Sequence, residues 1–356
     1  MKDYKDKIIE SVEQGYVSVQ KHPKIDLWIY NYTPKCVFEK FWNEVTLQCR
    51  GLILDRDFNI VARPFPKFFN IEEIQKLPDE PFEVTQKLDG SLGILYTFRE
   101  KGETYYGIAT RGSFVSEQAL VGSSILNEVM NNFWFIPWIV SVDGKQKVTL
   151  LFEIIYPENR IVVNYGDRRE LVLLAAIDND TGKDLPLENF SNLGVSIVKR
   201  FDGIKDINLL KGMERENEEG FVVRFLNSCT RVKVKFKEYI RLHKILTQTS
   251  NKTVWEHLKD GKPFDELLQR VPDEFYDYVR SVKSDLERKY SELEWRARYA
   301  LKLSEGRTRK EFALAVMGSY PDIAGIVFNM LDGKDYSQQI WRMIKPKYEK
   351  PFRKEI

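Results

Sequence analysis

At 356 residues the chain is long enough to bury a full core and to divide into two domains, since single cores rarely outgrow about 250 residues. The 55 lysines and arginines nearly cancel the 53 aspartates and glutamates, so no global field points to a polyanion and any nucleic-acid site has to be a local basic surface. Cys36, Cys49 and Cys229 lack metal-ligand spacing and fit unpaired thiols in a reducing compartment, and the longest apolar run, Phe133 to Val140, is short and broken by Pro137, so no membrane span is expected.

Residues 2 to 16 carry Ile8, Ile9 and Val12 among charges and predict an amphipathic helix. A strand follows at Leu27 to Tyr32, then a loop with Pro34. Arg50-Gly51 stands at the entrance of the apolar strand Leu52-Ile53-Leu54, which turns at Asp55 to Asn59 and returns through Ile60 to Pro64. Phe65-Pro66-Lys67-Phe68-Phe69-Asn70 sets aromatics beside a lysine, a combination that stacks a base while holding a phosphate or, more commonly, packs a core.

Lys87 is the residue to explain. Phe82-Glu83-Val84 and Leu92 to Tyr96 read as strands, and Asp89-Gly90 is turn chemistry, so Lys87 falls at a strand end beside a tight hairpin bend. A lysine there is either an ordinary surface residue or, with its amine held neutral by burial or a neighbouring cation, a nucleophile for phosphorus or carbonyl centres.

Beyond it, Tyr105 to Ala109 is a strand with Arg111 at its end. Ser116 caps a helix with an apolar stripe of Leu120, Ile125, Leu126, Val129 and Met130. Lys147 to Pro157 is an apolar strand with one acid inside it, Glu153; a carboxylate in such a run is costly unless it is paired or serves a ligand. Glu170 to Ile177 is a further buried strand, closed by a turn at Asp178 to Gly182.

Glu219-Gly220 opens the strand Phe221 to Phe225. In the next one, Arg231 to Lys237, period two puts Val232, Val234 and Phe236 on one face and Arg231, Lys233, Lys235 and Lys237 on the other. Four cations on one strand face describe either a solvated edge or a wall that grips phosphate. Past His243 helical periodicity takes over, and Asp273 to Ser304 predicts one long amphipathic helix capped at Asp273. Arg307 to Lys310 and the tail from Lys345 to Lys354 add cations of the kind that usually lie on solvated faces.

Taken together, these stretches resemble the covalent nucleotidyltransferases, and within them the bacteriophage type-one RNA ligases. The resemblance rests on blocks in family order: Cys49-Arg50-Gly51, Ala62-Arg63-Pro64 with Lys67-Phe68-Phe69-Asn70, Lys87-x-Asp89-Gly90-Ser91-Leu92, and Arg111-Gly112-Ser113. It continues through Phe152-Glu153 with Asn159-Arg160, Glu219-Gly220 and Lys233-Val234-Lys235.

The resemblance implies an α+β nucleotidyltransferase domain, an ATP-grasp-like ligase fold of antiparallel sheets and helices over residues 1–242, with an all-helical domain over 243–356. It implies ATP and Mg2+ or Mn2+ as cofactors, AMP held covalently on Lys87, and an RNA partner, single-stranded or a broken loop, with 5′-phosphate and 3′-hydroxyl ends. Lys233, Lys235 and Glu219 match its catalytic positions, and Arg50, Lys67, Phe69, Asp89, Gly90, Arg111 and Glu153 match nucleotide-binding ones, with metal at Glu153 and Glu219. A cytoplasmic monomer is expected. The sequence departs from the family at Ala109, where these ligases can carry a second cation near Arg111. A non-catalytic RNA- or nucleotide-binding protein of the same fold is the alternative, and the joint presence of Lys87, Glu153, Glu219, Lys233 and Lys235 argues against it.

Overall fold

The computed structural model describes residues 2–100, 103–130, 139–140, 145–247, 250–270, 276–302 and 305–347. It comprises two compact units, Met1–Leu246 and Thr247–Ile356.

The first unit opens with α1 (Lys2–Glu13), which buries Ile8 and leaves Ile9 exposed. Strands β1 (Val17–Lys21), β2 (Leu27–Tyr32), β3 (Arg50–Asp55) and β4 (Ile60–Ala62) pair in that order as an antiparallel sheet. The predicted turn between β3 and β4 forms because the Asp55 carboxylate accepts the backbone N–H groups of Asp57 and Asn59. Two short helices, α2 (Pro34–Phe38) and α3 (Glu44–Gln48), fill the β2–β3 connection and are capped by Thr33 and Asn43.

Next come β5 (Phe69–Asn70), β6 (Phe82–Lys87), β7 (Ser91–Glu100), β8 (Glu103–Ala109), α4 (Glu117–Met130), β9 (Val148–Ile155), β10 (Glu170–Asp178) and β11 (Asp184–Leu185). After these come β12 (Ser196–Ile197), β13 (Arg200–Phe201), β14 (Gly220–Phe225), β15 (Arg231–Lys235) and α5 (Lys237–Thr247). A six-stranded sheet runs β11-β10-β9-β7-β8 with β12 parallel to β10, and a five-stranded sheet runs β13-β6-β14-β15-β5. All pairs in the five-stranded sheet are antiparallel except β15 with β5.

One core packs Ile125 and Leu126 of α4 against Ile108, Phe152 and Ile154, and another joins Ile29 and Ile53 of the first sheet to Ile94, Leu151 and Ala175 of the second. A third gathers Val84, Phe221, Val223, Phe225, Val232 and Val234 on one face of the five-stranded sheet. That face is set by period-two alternation, so the residues between them point the other way.

Four expectations change here. The strands flanking Lys87 are not a hairpin: β6 pairs in the five-stranded sheet and β7 in the six-stranded one, and Leu88-Asp89-Gly90 hands the chain from one to the other. The cationic strand β15 is no solvated edge, because the two-residue β5 pairs along its outer side. Lys237 leaves the cationic face, since β15 ends at Lys235 and Lys237 starts a helix, exposed. Leu120 is 58% exposed, and α4 uses Ala119, Gly122, Ile125 and Leu126 as its inner stripe.

The second unit consists of α6 (Asn251–Lys259), α7 (Phe264–Arg270), α8 (Tyr276–Leu301), α9 (Arg309–Ser319), α10 (Ala324–Leu331) and α11 (Ser337–Met343). Its core includes Ala297, Ala300, Phe312, Val316, Ile326 and Val327. The long helix is present over Tyr276–Leu301; its predicted cap Asp273, with Phe275 and Ser304, lies outside the described residues, as do 131–138 and the tail beyond Lys347. The run Arg307 to Lys310 contains a helix start, with Thr308 and Glu311 closing a capping box. Among the described residues no helix is long and apolar enough to cross a membrane.

Candidate active site

Three strands line up the central groups of the site. In the five-stranded sheet Gly220 stands in register with Lys87 on one side and Lys235 on the other, so Glu219, one residue earlier, reaches both lysines. Its two carboxylate oxygens meet Lys87 Nζ at 2.8 Å and Lys235 Nζ at 2.8 Å. The glycine is required by space: a Cβ at Gly220, where φ is +152°, would lie 2.0 Å from the Val234 carbonyl oxygen. Burial alone would raise the Glu219 carboxyl; the ammonium groups of Lys235 and Lys87, with their hydrogen bonds, outweigh it and hold the group below its ordinary range.

Glu153 enters from β9 in the other sheet, where its side chain accepts the Gly90 N–H at 2.8 Å. Burial pushes its carboxyl up to about 8, opposed by the charge of Lys87 and reinforced by that of Glu219. Gly90 is again a matter of room, since a Cβ there would sit 2.7 Å from the Ile154 carbonyl oxygen. Lys87, Glu153 and Glu219 thus converge where the chain passes between the sheets. Glu153 and Glu219 are the carboxylates at this junction that could hold a hard divalent cation.

This junction opens into a cleft of about 910 Å³ lined by both sheets. Arg50 lies on its wall over the rings of Phe65 and Phe68, at 5.0 and 5.3 Å. Arg111 lines it as well and donates to the Tyr32 hydroxyl at 3.0 Å. Ala109, the position of the missing second cation, is fully buried. Lys233 shares the cleft-facing side of β15 and is buried in register with Val222.

Three of the expected residues take other surroundings. The Asp89 carboxylate receives the N–H groups of Val162 and Val163, both at 2.8 Å, and the Tyr239 hydroxyl at 2.7 Å. With these partners it anchors the loop that carries Lys87. Lys67 is buried in a cage formed by Tyr32, Trp42 and Phe69, with ring centres 5.6, 5.8 and 5.4 Å from its Nζ. Phe69 packs edge-on against Trp42 at 5.5 Å.

Sequence reasoning missed Trp42, Tyr239 and the partners that draw Arg231 into a second ionic cluster in the cleft, namely Glu83, Asp184, Arg200 and Arg224. Arg224 was legible from the alternation of β14. Asp184 carries no local signal, because only the pairing of β11 with β10 brings it to the cleft.

Residues 48–240, more than half of the chain, match the RNA ligase family. The chain therefore belongs to that family. It is similar to the RNA ligase of Rhodothermus phage RM378, 23% identical over 88% of this chain and 87% of that protein. It is also 28% identical, over 72% of its length, to a protein of Autographa californica nuclear polyhedrosis virus provisionally named a bifunctional polynucleotide kinase/RNA ligase, of which the match spans 39%. Among solved structures it resembles a Naegleria gruberi RNA ligase mutant with ATP and Mn, with a TM-score of 0.37 and 18% identity over 49% of this chain and 54% of that one.

Proposed function

We propose that the protein is an ATP-dependent RNA ligase that works through a lysyl-AMP intermediate. The amine of Lys87 attacks the α-phosphorus of ATP, a P–N bond forms, the P–O bond to the β-phosphate breaks, and pyrophosphate leaves while the amine gives up a proton. An RNA 5′-phosphate oxygen then displaces Lys87 from the adenylate, and an RNA 3′-hydroxyl displaces AMP to complete the phosphodiester.

The observation that carries this reading is the row Lys87, Glu219 and Lys235 at the junction of two sheets, beside a cleft of nucleotide size. Phosphoryl transfer needs little covalent chemistry from a protein beyond its nucleophile; it needs positioning and compensation of charge on the phosphoryl oxygens. Lys235 and Lys233 supply the positive charge. Glu219 orients both amines of its ion pairs, and nucleotide phosphates arriving at the junction compete with it for them. Glu153 and Glu219 would hold a divalent metal, which would supply further neutralisation of phosphate charge. Arg50 and Glu153 hold the ribose, with Arg111 on the same wall. The RNA partner carries 5′-phosphate and 3′-hydroxyl ends, and the protein acts as a monomer in the cytoplasm.

The test separates the steps. Protein incubated with α-labelled ATP and magnesium should acquire a covalent label, and Lys87→Ala protein should acquire none, yet still seal RNA that already bears a 5′-adenylate. Label on Lys87→Ala protein would transfer the nucleophile to another residue. Full activity of both Lys233→Ala and Lys235→Ala would remove the charge-compensating role from β15.

A further inference from the structure

The outer face of the long helix α8 carries an aromatic pair that the helical unit does not use for its own packing. Ala297 and Ala300 are fully buried in the core of that unit, so helical periodicity turns Trp295 and Tyr299 away from it. Trp295 is 66% exposed and Tyr299 53%, and no other tryptophan among the described residues is exposed. The two rings lie one turn apart, with centres 5.7 Å from each other and planes 18° from parallel, so they form a short stack with faces open to solvent. Single exposed apolar side chains are ordinary, but two large rings already stacked offer a partner flat apolar surface that folding has left uncovered.

The same face continues into cations. Arg288 stands seven positions before Trp295 and Lys302 seven after it, so both fall on the aromatic stripe, each about 10 Å along the axis from the tryptophan, and both are exposed. Arg288 is shared with Asp285 and Glu292 at 2.7 and 3.8 Å, and Arg298, beside Tyr299, with Glu294 at 2.9 Å, whereas Lys302 makes no ion pair among the described residues. From Trp295 to Lys310 the sequence holds Arg296, Arg298, Lys302, Arg307, Arg309 and Lys310 against the single acid Glu305, although the whole chain is nearly neutral. Arg296 and Arg309 are tied to Asp322 and Asp332, yet the segment keeps a clear excess of positive charge beside the rings.

We propose that Trp295 and Tyr299 form a stacking platform for single-stranded RNA, with Arg288 and Lys302 meeting the phosphates on either side of the stacked bases. Every base has a π-face, so exposed rings bind single strands with little regard to sequence, and the backbone running past them calls for cations at their side. Aromatic rings interleaved with positive charge answer both demands. Arg288 to Lys302 spans about 21 Å of helix, the length of about six nucleotides at a stacked spacing of about 3.4 Å. Duplex RNA keeps its base faces inside the helix and cannot use the rings. The inference takes RNA as the polymer from the ligase reading and needs nothing of the chemistry at Lys87.

The experiment is fluorescence anisotropy with full-length protein and a labelled, unstructured RNA oligomer longer than the platform, without ATP, beside covalent labelling by α-labelled ATP. Trp295→Ala combined with Tyr299→Ala should weaken RNA binding by about tenfold or more, and Trp295→Phe combined with Tyr299→Phe should stay within about threefold of wild type, because the rings remain. Lys302→Ala should weaken binding and reduce its salt dependence by about one ion. Circular dichroism and AMP labelling should be unchanged in all three, since none of these side chains packs in a core or lies in the cleft. RNA affinity of the double alanine variant within about twofold of wild type overturns the platform. Binding of duplex RNA as tight as that of single strands also overturns it and leaves charge alone as the attraction. If sedimentation shows that the double alanine variant loses self-association and keeps its RNA affinity, the rings belong to an interface between copies and the RNA reading falls. Wild-type protein that binds RNA through the rings yet takes no label refutes the ligase reading alone, and label with unchanged RNA affinity in the double alanine variant refutes the platform alone.

Discussion

Glu153 and Glu219 face the same lysine from different sheets and are driven in opposite directions. Glu219 has two ammonium partners at 2.8 Å, while Glu153 has a backbone N–H and a carboxylate neighbour, so burial dominates only in Glu153. Because the Glu153 carboxyl titrates at about 8 when folded and near 4.5 ordinarily, the folded state holds its proton more tightly, and the resulting stability is full below about 4.5 and lost as pH rises towards 8. Glu153→Gln should therefore raise the thermal midpoint at pH 8.5, by an amount equivalent to a few kcal/mol, and change it little at pH 4. A midpoint shift equal at both pH values would mean that the buried charge is compensated. The sequence exposed Glu153 as an acid in an apolar run, but the direction of its titration depends on the unlike company of two carboxylates brought together from β9 and β14, which no single segment encodes.

At the scale of strands, period-two alternation was enough to separate the apolar and cationic faces of β15. It was silent on which elements lie alongside them. The hairpin expected at Lys87 fails because β6 completes its pairing with β13 and β14, leaving β7 to pair with β8 and β9. Likewise β5 is only two residues long, too short for any periodicity, yet its pairing turns β15 from an edge into an interior strand and buries Lys233. The tight β14–β15 contact at Gly220 makes a direct prediction. Gly220→Ala drives a methyl into the Val234 carbonyl, so the strands must separate where Glu219 joins Lys87 to Lys235. Loss of covalent AMP and destabilisation by about 3 kcal/mol or more in urea titration are expected. A Gly220→Ala protein with normal midpoint and normal labelling would show that this backbone contact relaxes freely.

For the whole molecule, the change from strand to helix texture near His243 was visible because β and α periodicities differ, and the long helix was visible because its apolar stripe repeats over 26 residues. The chain divides into its two compact units between Leu246 and Thr247, inside the last turn of α5. Lys87, Glu153, Glu219, Lys233, Lys235 and all lining residues of the cleft fall before that point, as do the three sheets and their cores. We predict that a chain ending at Leu246 folds cooperatively and still acquires AMP from ATP within about tenfold of the full-length rate. Tyr239, which holds Asp89 and so the loop of Lys87, lies in α5, and a chain ending before it should lose labelling. Comparing chains that end at Leu246 and at Phe236 by covalent labelling and by circular dichroism decides the point. Label on the shorter chain would remove Tyr239 from the support of Lys87, and a longer chain that folds without taking label would place part of the adenylylation machinery in the helical unit.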